Sequence, residues 1–281
     1  AIMMAEKLQQ FFSNNTDVNK LVVALESTSF YGVHIANYLS SCETLMPFYT
    51  HVYCINPKLV ANYKKSYVGL GKNDAIDAFI IADFARVGRI TSAPWRGSQF
   101  LALQRLTRHR LHLAKSLMRE KTYMLSNIFL KFSEFSILDD DKQPFSNNYG
   151  TTASAILTDF LSTEDIATMS LDALIDYICK KGKNRFVNPE HTAYLLQQAA
   201  RNSYRLDKCL YEPLTISIAS SFNLISAYEA EMKVINKAIE KTLRGLDPNA
   251  YQSLLSIPGI GPVYAAGIIA EITSIEAFKS H

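Results

Sequence analysis

The stretch Lys20–Glu26 (KLVVALE) is apolar at five consecutive positions and then ends on a carboxylate. A continuous apolar run, unlike an alternating one, needs cover on both faces. It therefore predicts a buried strand in a parallel or mixed sheet. His51–Asn56 (HVYCIN) predicts a second strand, stopped by Pro57. Between them, Phe30–Leu39 returns to helical spacing. After them, Lys72–Arg89 is strongly helical, with apolar Ala75, Ala78, Phe79, Ala82 and Phe84. Strand, helix, strand, helix in one short region points to an α/β layer with a sheet at its centre. Lys7–Asn14, ahead of the first strand, reads as the tail of an amphipathic helix.

Beyond Pro94 the pattern is helical. Gln99 to about Phe132 predicts one long helix. Its Leu103, Leu106, Leu113, Leu117 and Met124 fall near a seven-residue repeat, broken by Arg110 and Glu120, which suits a coiled-coil seam with polar interruptions. Asp139–Gly150 is a polar break. Residues 151–202 predict several short helices, with caps at Ser162 and Ser170. Ser203 to about Arg244 predicts a second long helix, interrupted at Pro213 and able to pack antiparallel to the first. Tyr251–His281 reads as helix, tight Gly-Pro turn, helix.

With 281 residues, 48% hydrophobic and 20% charged, the chain is long enough to bury a real core and is not compositionally disordered. No apolar run reaches the ~18 residues of a membrane span. The first residues, AIMMAEKLQQ, lack a signal-peptide pattern, and the absence of an initial Met suggests a fragment or a trimmed chain. Cys42, Cys54, Cys179 and Cys209 are scattered, which argues against a zinc site or disulfide framework and fits a reducing cytoplasm.

Three carboxylates stand out. Glu26 ends a strand, and Asp74 and Asp77 lie three apart on one face at the start of a helix. Converging carboxylates suit a hard cation such as Mg²⁺, which takes oxygen ligands at about 2.0–2.1 Å. A pair of such ions about 3.5–4 Å apart can stabilise the attacking and leaving oxygens of phosphodiester cleavage. The same residues also suit plainer roles: aspartates favour a helix N-terminus, and a strand-end Glu can pair with a base.

Three ordered motifs sharpen this. LVVALESTSFYG, then INPKLVANYKK, then GKNDAIDAFIIADFARVG resemble the N-terminal domain of the one-ten family of insertion-sequence transposases. Glu26, Thr28 and Tyr31 match the first motif, Asn56 and Pro57 the second, and Lys72, Asp74, Asp77 and Ala78 the third. Ser29 stands where the family usually has Gly. The resemblance implies an RNase H/RuvC-like domain of the DEDD type, with Glu26, Asp74 and Asp77 as Mg²⁺ ligands and catalytic carboxylates. It also implies a first Asp on an earlier strand. Asp17 is read as a loop residue instead, so that ligand is expected to be missing from this chain. Lys72 reads equally as a phosphate contact or a solvated lysine.

Two further features bear on nucleic acid. From Gln99 to Lys131 the basic residues are Arg105, Arg108, Arg110, Lys115, Arg119, Lys121 and Lys131, against one acid, Glu120. The net charge of the whole chain is only +3, so the bias is local. Arg105, Arg108 and Lys115 are taken as phosphate-binding, with a solvated helix face as the alternative. In LLSIPGIGPVYAAGIIAEI, Leu254–Ile272, Gly259 and Gly261 resemble a helix-hairpin-helix turn that brings backbone N–H groups to a phosphate. A purely structural turn is equally compatible. The family opens its C-terminal transposase domain with such a motif and places a nucleophilic Ser further on, in a Gly-rich segment. Ser274 and Ser280 lie too early for that role.

The expected fold is α/β plus α. It comprises an N-terminally truncated RNase H/RuvC-like domain (1–98), a long-helix coiled-coil region (99–250, insert 140–202) and a helical C-terminal segment (251–281). The resemblance implies Mg²⁺-dependent DNA cleavage and rejoining by a transposase. It further implies a structured guide RNA and a homo-oligomer, in the cytoplasm and without a membrane. A RuvC-like structure-specific endonuclease and a catalytically incomplete nucleic-acid-binding remnant are the alternative readings.

Overall fold

The computed structural model describes residues 1–15, 17–18, 20–67, 69, 71, 73–90, 92–135 and 143–272. In chain order its elements are α1 (Ile2–Asn14), β1 (Val22–Glu26), α2 (Val33–Ser41), β2 (His51–Ile55), α3 (Pro57–Lys64), α4 (Asp74–Arg86) and α5 (Ser98–Lys131). There follow α6 (Thr151–Asp159), α7 (Thr163–Thr168), α8 (Leu171–Gly182), α9 (Pro189–Asn202), α10 (Lys208–Arg244), α11 (Pro248–Leu255) and α12 (Pro262–Glu271). The chain is thus mostly helical, with a small parallel sheet, consistent with an RNase H-like domain. It divides into two compact units, Ala1–Arg108 with Lys237–His281, and His109–Asn236.

In the first unit β1 and β2 pair in parallel, from Val22 opposite His51 to Glu26 opposite Ile55. Parallel pairing follows from the crossover through α2, since a tight turn can join only antiparallel neighbours. Both faces are covered, as the apolar run requires. Ala5 and Phe12 of α1, Ala36 and Leu39 of α2, Val23 and Val52 make one cluster. Ile55, Val60 of α3, and Ile80 and Phe84 of α4 make the other, with Ala24 and Tyr53 packed against it. The strand residues alternate between the two clusters. Asp17 lies in the exposed turn between α1 and β1.

In the second unit α5 and α10 run antiparallel. Arg110 Nε donates to Asn236 Oδ1 at 3.0 Å, Lys121 pairs with Glu229 at 2.9 Å, and Lys131 Nζ reaches Thr215 Oγ1 at 2.6 Å. Later partners on α5 thus meet earlier ones on α10. Leu113, Met124 and Ile128 are buried, and Met124 and Ile128 share a core with Ile156, Ile166, Leu174 and Leu196 of the short helices α6–α9. The caps fall where Ser162 and Ser170 predict them, and Ser162 and Asp165 close a full capping box.

The break expected at Pro213 is absent. Pro213 lies in the second turn of α10, where a missing N–H orphans only one carbonyl near the helix end. The preceding residues 203–207 are not helical, so the break falls before Lys208.

Candidate functional site

Glu26 is the last residue of β1 and is half-buried. Thr28 Oγ1 donates to its Oε1 at 3.2 Å. A groove runs between β1 and α4, lined by Ala24, Glu26, Ala78, Ile81 and Ala85. Asp74 opens α4, with Asn73 as its cap: the Asn73 side chain accepts from Ala75 N at 2.7 Å. Asp74 precedes Ala78 by one turn, and Asp77 precedes Ile81 by one turn. The two carboxylates thus lie one turn before the groove-lining residues of α4 and do not line the groove themselves. Glu26, on the strand side, is the one of the three that lines the groove.

The three carboxylates are not gathered around one point. Among the described residues no group of three or more His, Cys, Asp or Glu side chains stands close enough to hold a metal ion. Asp77 already has a cation: Lys64, the last residue of α3, pairs with its Oδ1 at 2.5 Å, both side chains being partly shielded. The donors are all hard oxygens, the right class for Mg²⁺. Lys72, which the sequence suggests as a phosphate contact, lies outside the described residues.

The grip of α3 on α4 continues nearly two turns on, at Asp83. Asp83 is buried and accepts from Tyr63 Oη at 2.6 Å, from Tyr67 Oη, and from Arg86 Nε at 2.7 Å. The tyrosine hydroxyls and the Arg86 guanidinium hold its carboxyl down to about 2. The Tyr67 phenol is pushed up in return by the same carboxylate.

At the other end of the chain, Pro258 and Gly259 form a tight turn, closed by Ile260 N donating to Ile257 O at 3.1 Å. Gly259 has φ +88°, which with Pro before it marks a type II turn. Gly261 is the N-cap of α12 at φ −84°. Its place beside free backbone N–H groups is what a helix-hairpin-helix turn needs, and a β-carbon there would meet nothing within 4 Å. The far end of α12 is tied down. Arg96 Nη1 donates to the carbonyls of Ile269 and Ile272 at 3.0 and 3.1 Å. Arg108 grips Glu271 with Nε and Nη2 at 2.7 and 2.9 Å. Gln104 adds a third bond to Glu271, whose carboxyl is held below the usual range chiefly by Arg108.

A model of DEDD-type IS110 transposases, described as "Transposase", matches residues 2–131, and one described as "Transposase IS116/IS110/IS902 family" matches residues 245–281. The chain belongs to the IS110 family of transposases. This is the family that the three ordered motifs resemble. The first IS110 match contains Glu26, Asp74 and Asp77. The second contains the Gly259–Gly261 turn. A comparison with curated proteins finds no match.

In this IS110-family chain the basic residues of α5 have different surroundings. They do not form a single solvated stripe. Lys131 is 3% exposed, its ammonium bonded to the carbonyls of Leu157 and Phe160 and to Thr215. Arg110 and Lys121 are engaged with α10, and Arg108 with Glu271. Arg105 is exposed and stacks over the Phe30 ring at 4.7 Å. Lys115 and Arg119 are exposed one turn apart beside Met118 and Tyr123. Periodicity could not separate these fates, because partners on α10 and α12 choose which cations they neutralise. Lys64, Arg96 and Glu271 carry no sequence signal of their own. Ser274 and Ser280 lie outside the described residues.

Proposed function

We propose that this IS110-family transposase cleaves and rejoins DNA, with Glu26, Asp74 and Asp77 as carboxylates that bind Mg²⁺, and that a structured RNA guides it. The observation that supports the reading is that Glu26 ends β1 in the groove between β1 and α4, while Asp74 and Asp77 lie in the first turn of the same α4. A bound Mg²⁺ would polarise a phosphodiester and neutralise its developing charge. The chain's own part is to hold oxygen donors on a strand end and a helix start, two rigid supports. The Gly259–Gly261 turn supplies backbone N–H groups for phosphate, a contact without sequence preference. The buried seam of α5 against α10 supports the coiled-coil reading, and we propose a homo-oligomer on the family resemblance alone. No helix among the described residues is long and apolar enough to cross a membrane. The cytoplasmic placement we propose rests on the scattered cysteines and the family resemblance.

The test is Mg²⁺-dependent cleavage of DNA carrying the element's ends, with the cognate RNA supplied. Asp74→Ala should abolish cleavage and leave nucleic-acid binding intact. Unchanged cleavage would remove Asp74 from the site. A second reading, a member that binds nucleic acid and cuts nothing, draws on the ungathered carboxylates. Cleavage by the unaltered protein would exclude it.

A further inference from the structure

We propose that a cavity of about 540 Å³ beside Glu26 is a pocket for a single unstacked nucleobase. The cavity lies wholly within the first unit, and Glu26 lines both it and the groove against α4. Its volume is that of a small-molecule site. Phe30, Trp95 and Phe100 give it aromatic walls. Such walls attract flat rings, and stacking on them accepts any base.

The charges along the cavity argue for a neutral occupant. They are Glu26, Arg96, Arg108 and Glu271, so the two signs balance. Arg108 and Glu271 already neutralise one another at 2.7 Å. The lining as a whole therefore exerts no net pull on a phosphate or an ammonium. Hydrogen bonding then sets what fits. Arg96 donates through Nη1 to the carbonyls of Ile269 and Ile272, and its guanidinium lies over the Phe100 ring at 3.5 Å. These contacts fix the guanidinium, while its Nε and Nη2 have no partner among the described residues. Gln104 Nε2 donates to Glu271 at 3.1 Å, so Oε1 is the end of that amide left to accept. Fixed donors on Arg96 and an acceptor on Gln104, between aromatic walls, suit a neutral ring with both an acceptor and an N–H on its edge. A nucleobase is such a ring. A free nucleoside offers the same chemistry. That the base belongs to a nucleic-acid strand and leaves its stack to enter rests on the proposed action on DNA.

Trp95 is the only tryptophan of the chain, so its indole N–H magnetic resonance signal reports on this cavity. The full chain is titrated with deoxyguanosine, deoxyadenosine, deoxycytidine and thymidine, with inorganic phosphate, and with a single-stranded oligonucleotide or an abasic strand of equal length. The nucleosides and the intact strand should move the signal saturably. Phosphate and the abasic strand should leave it in place. Gln104→Met should weaken nucleoside binding by about two- to ten-fold, the worth of one neutral hydrogen bond. Phe100→Leu repeats the test at the aromatic wall should Gln104→Met fail to fold. The pocket is overturned if the nucleosides leave the signal still, if phosphate moves it equally, or if both variants bind as the unaltered chain does. Strand binding seen by fluorescence anisotropy with a still signal would keep the nucleic-acid reading and remove the pocket. Movement by nucleosides with no strand binding would keep the pocket, as a site for free nucleosides, and remove the action on DNA.

Discussion

Ser29 has φ +55°, in the left-handed region that a β-carbon resists. It is the one departure from the family's first motif, and it sits where the family's Gly would be relaxed. The turn after Glu26 is thus kept, with some strain in place of flexibility. Ser29→Gly is expected to raise stability by about 0.5–1 kcal/mol, read from the urea midpoint, because relief of strain outweighs the added chain entropy. The hairpin glycines separate in the same way. Gly259→Ala should cost about 1 kcal/mol or more, since φ +88° is strained for Ala even with open space around it. Gly261→Ala meets no such backbone cost at φ −84°. Its β-carbon instead projects where a phosphate would approach. Gly261→Ala should therefore weaken DNA binding in a filter assay while leaving the melting temperature nearly unchanged.

Helix ends and helix pairs decide the next level. Lys131 ends α5 and donates to the last carbonyls of α6, which the helix itself cannot satisfy. Burial pushes its ammonium down to about 8, yet three oxygens receive its three hydrogens. Lys131→Met fills the space and strands those carbonyls. It should destabilise the protein by about 2–4 kcal/mol in urea unfolding. The α3–α4 pair turns on Asp83. Its folded value of about 2 lies below the ordinary 3.8, so the unfolded chain binds the proton more readily. The stability it adds is present above pH ~4 and is lost as pH falls through about 2. Asp83→Asn should flatten the acid limb of a melting-temperature profile between those values. An unchanged acid limb would show that the tyrosine network does not hold the two helices together.

Over the whole molecule the expected behaviour is salt-dependent attachment to nucleic acid. Each neutralised phosphate of duplex DNA adds about 0.9 to the slope of log affinity against log salt. Replacing exposed Lys115 and Arg119 together should reduce that slope by about 2. Arg108→Ala should instead lower the melting temperature, because its guanidinium is committed to Glu271. An unchanged slope in the double variant would leave Lys115 and Arg119 as an ordinary solvated face. Much of this protein was legible without coordinates. KLVVALE implied a doubly covered strand, the leucine spacing of α5 implied a long helix with one buried face, and the ordered Glu, Asn-Pro and Asp-x-x-Asp motifs implied the family. These are local signals: periodicity, capping and turn chemistry act within a few residues of chain. What the tertiary structure alone decided is which charges are already spent. Lys64 on Asp77, Arg108 on Glu271 and Lys131 on the carbonyls of α6 join residues 13, 163 and up to 29 positions apart. Such pairings depend on how helices meet in space, and no spacing rule along the chain can supply them.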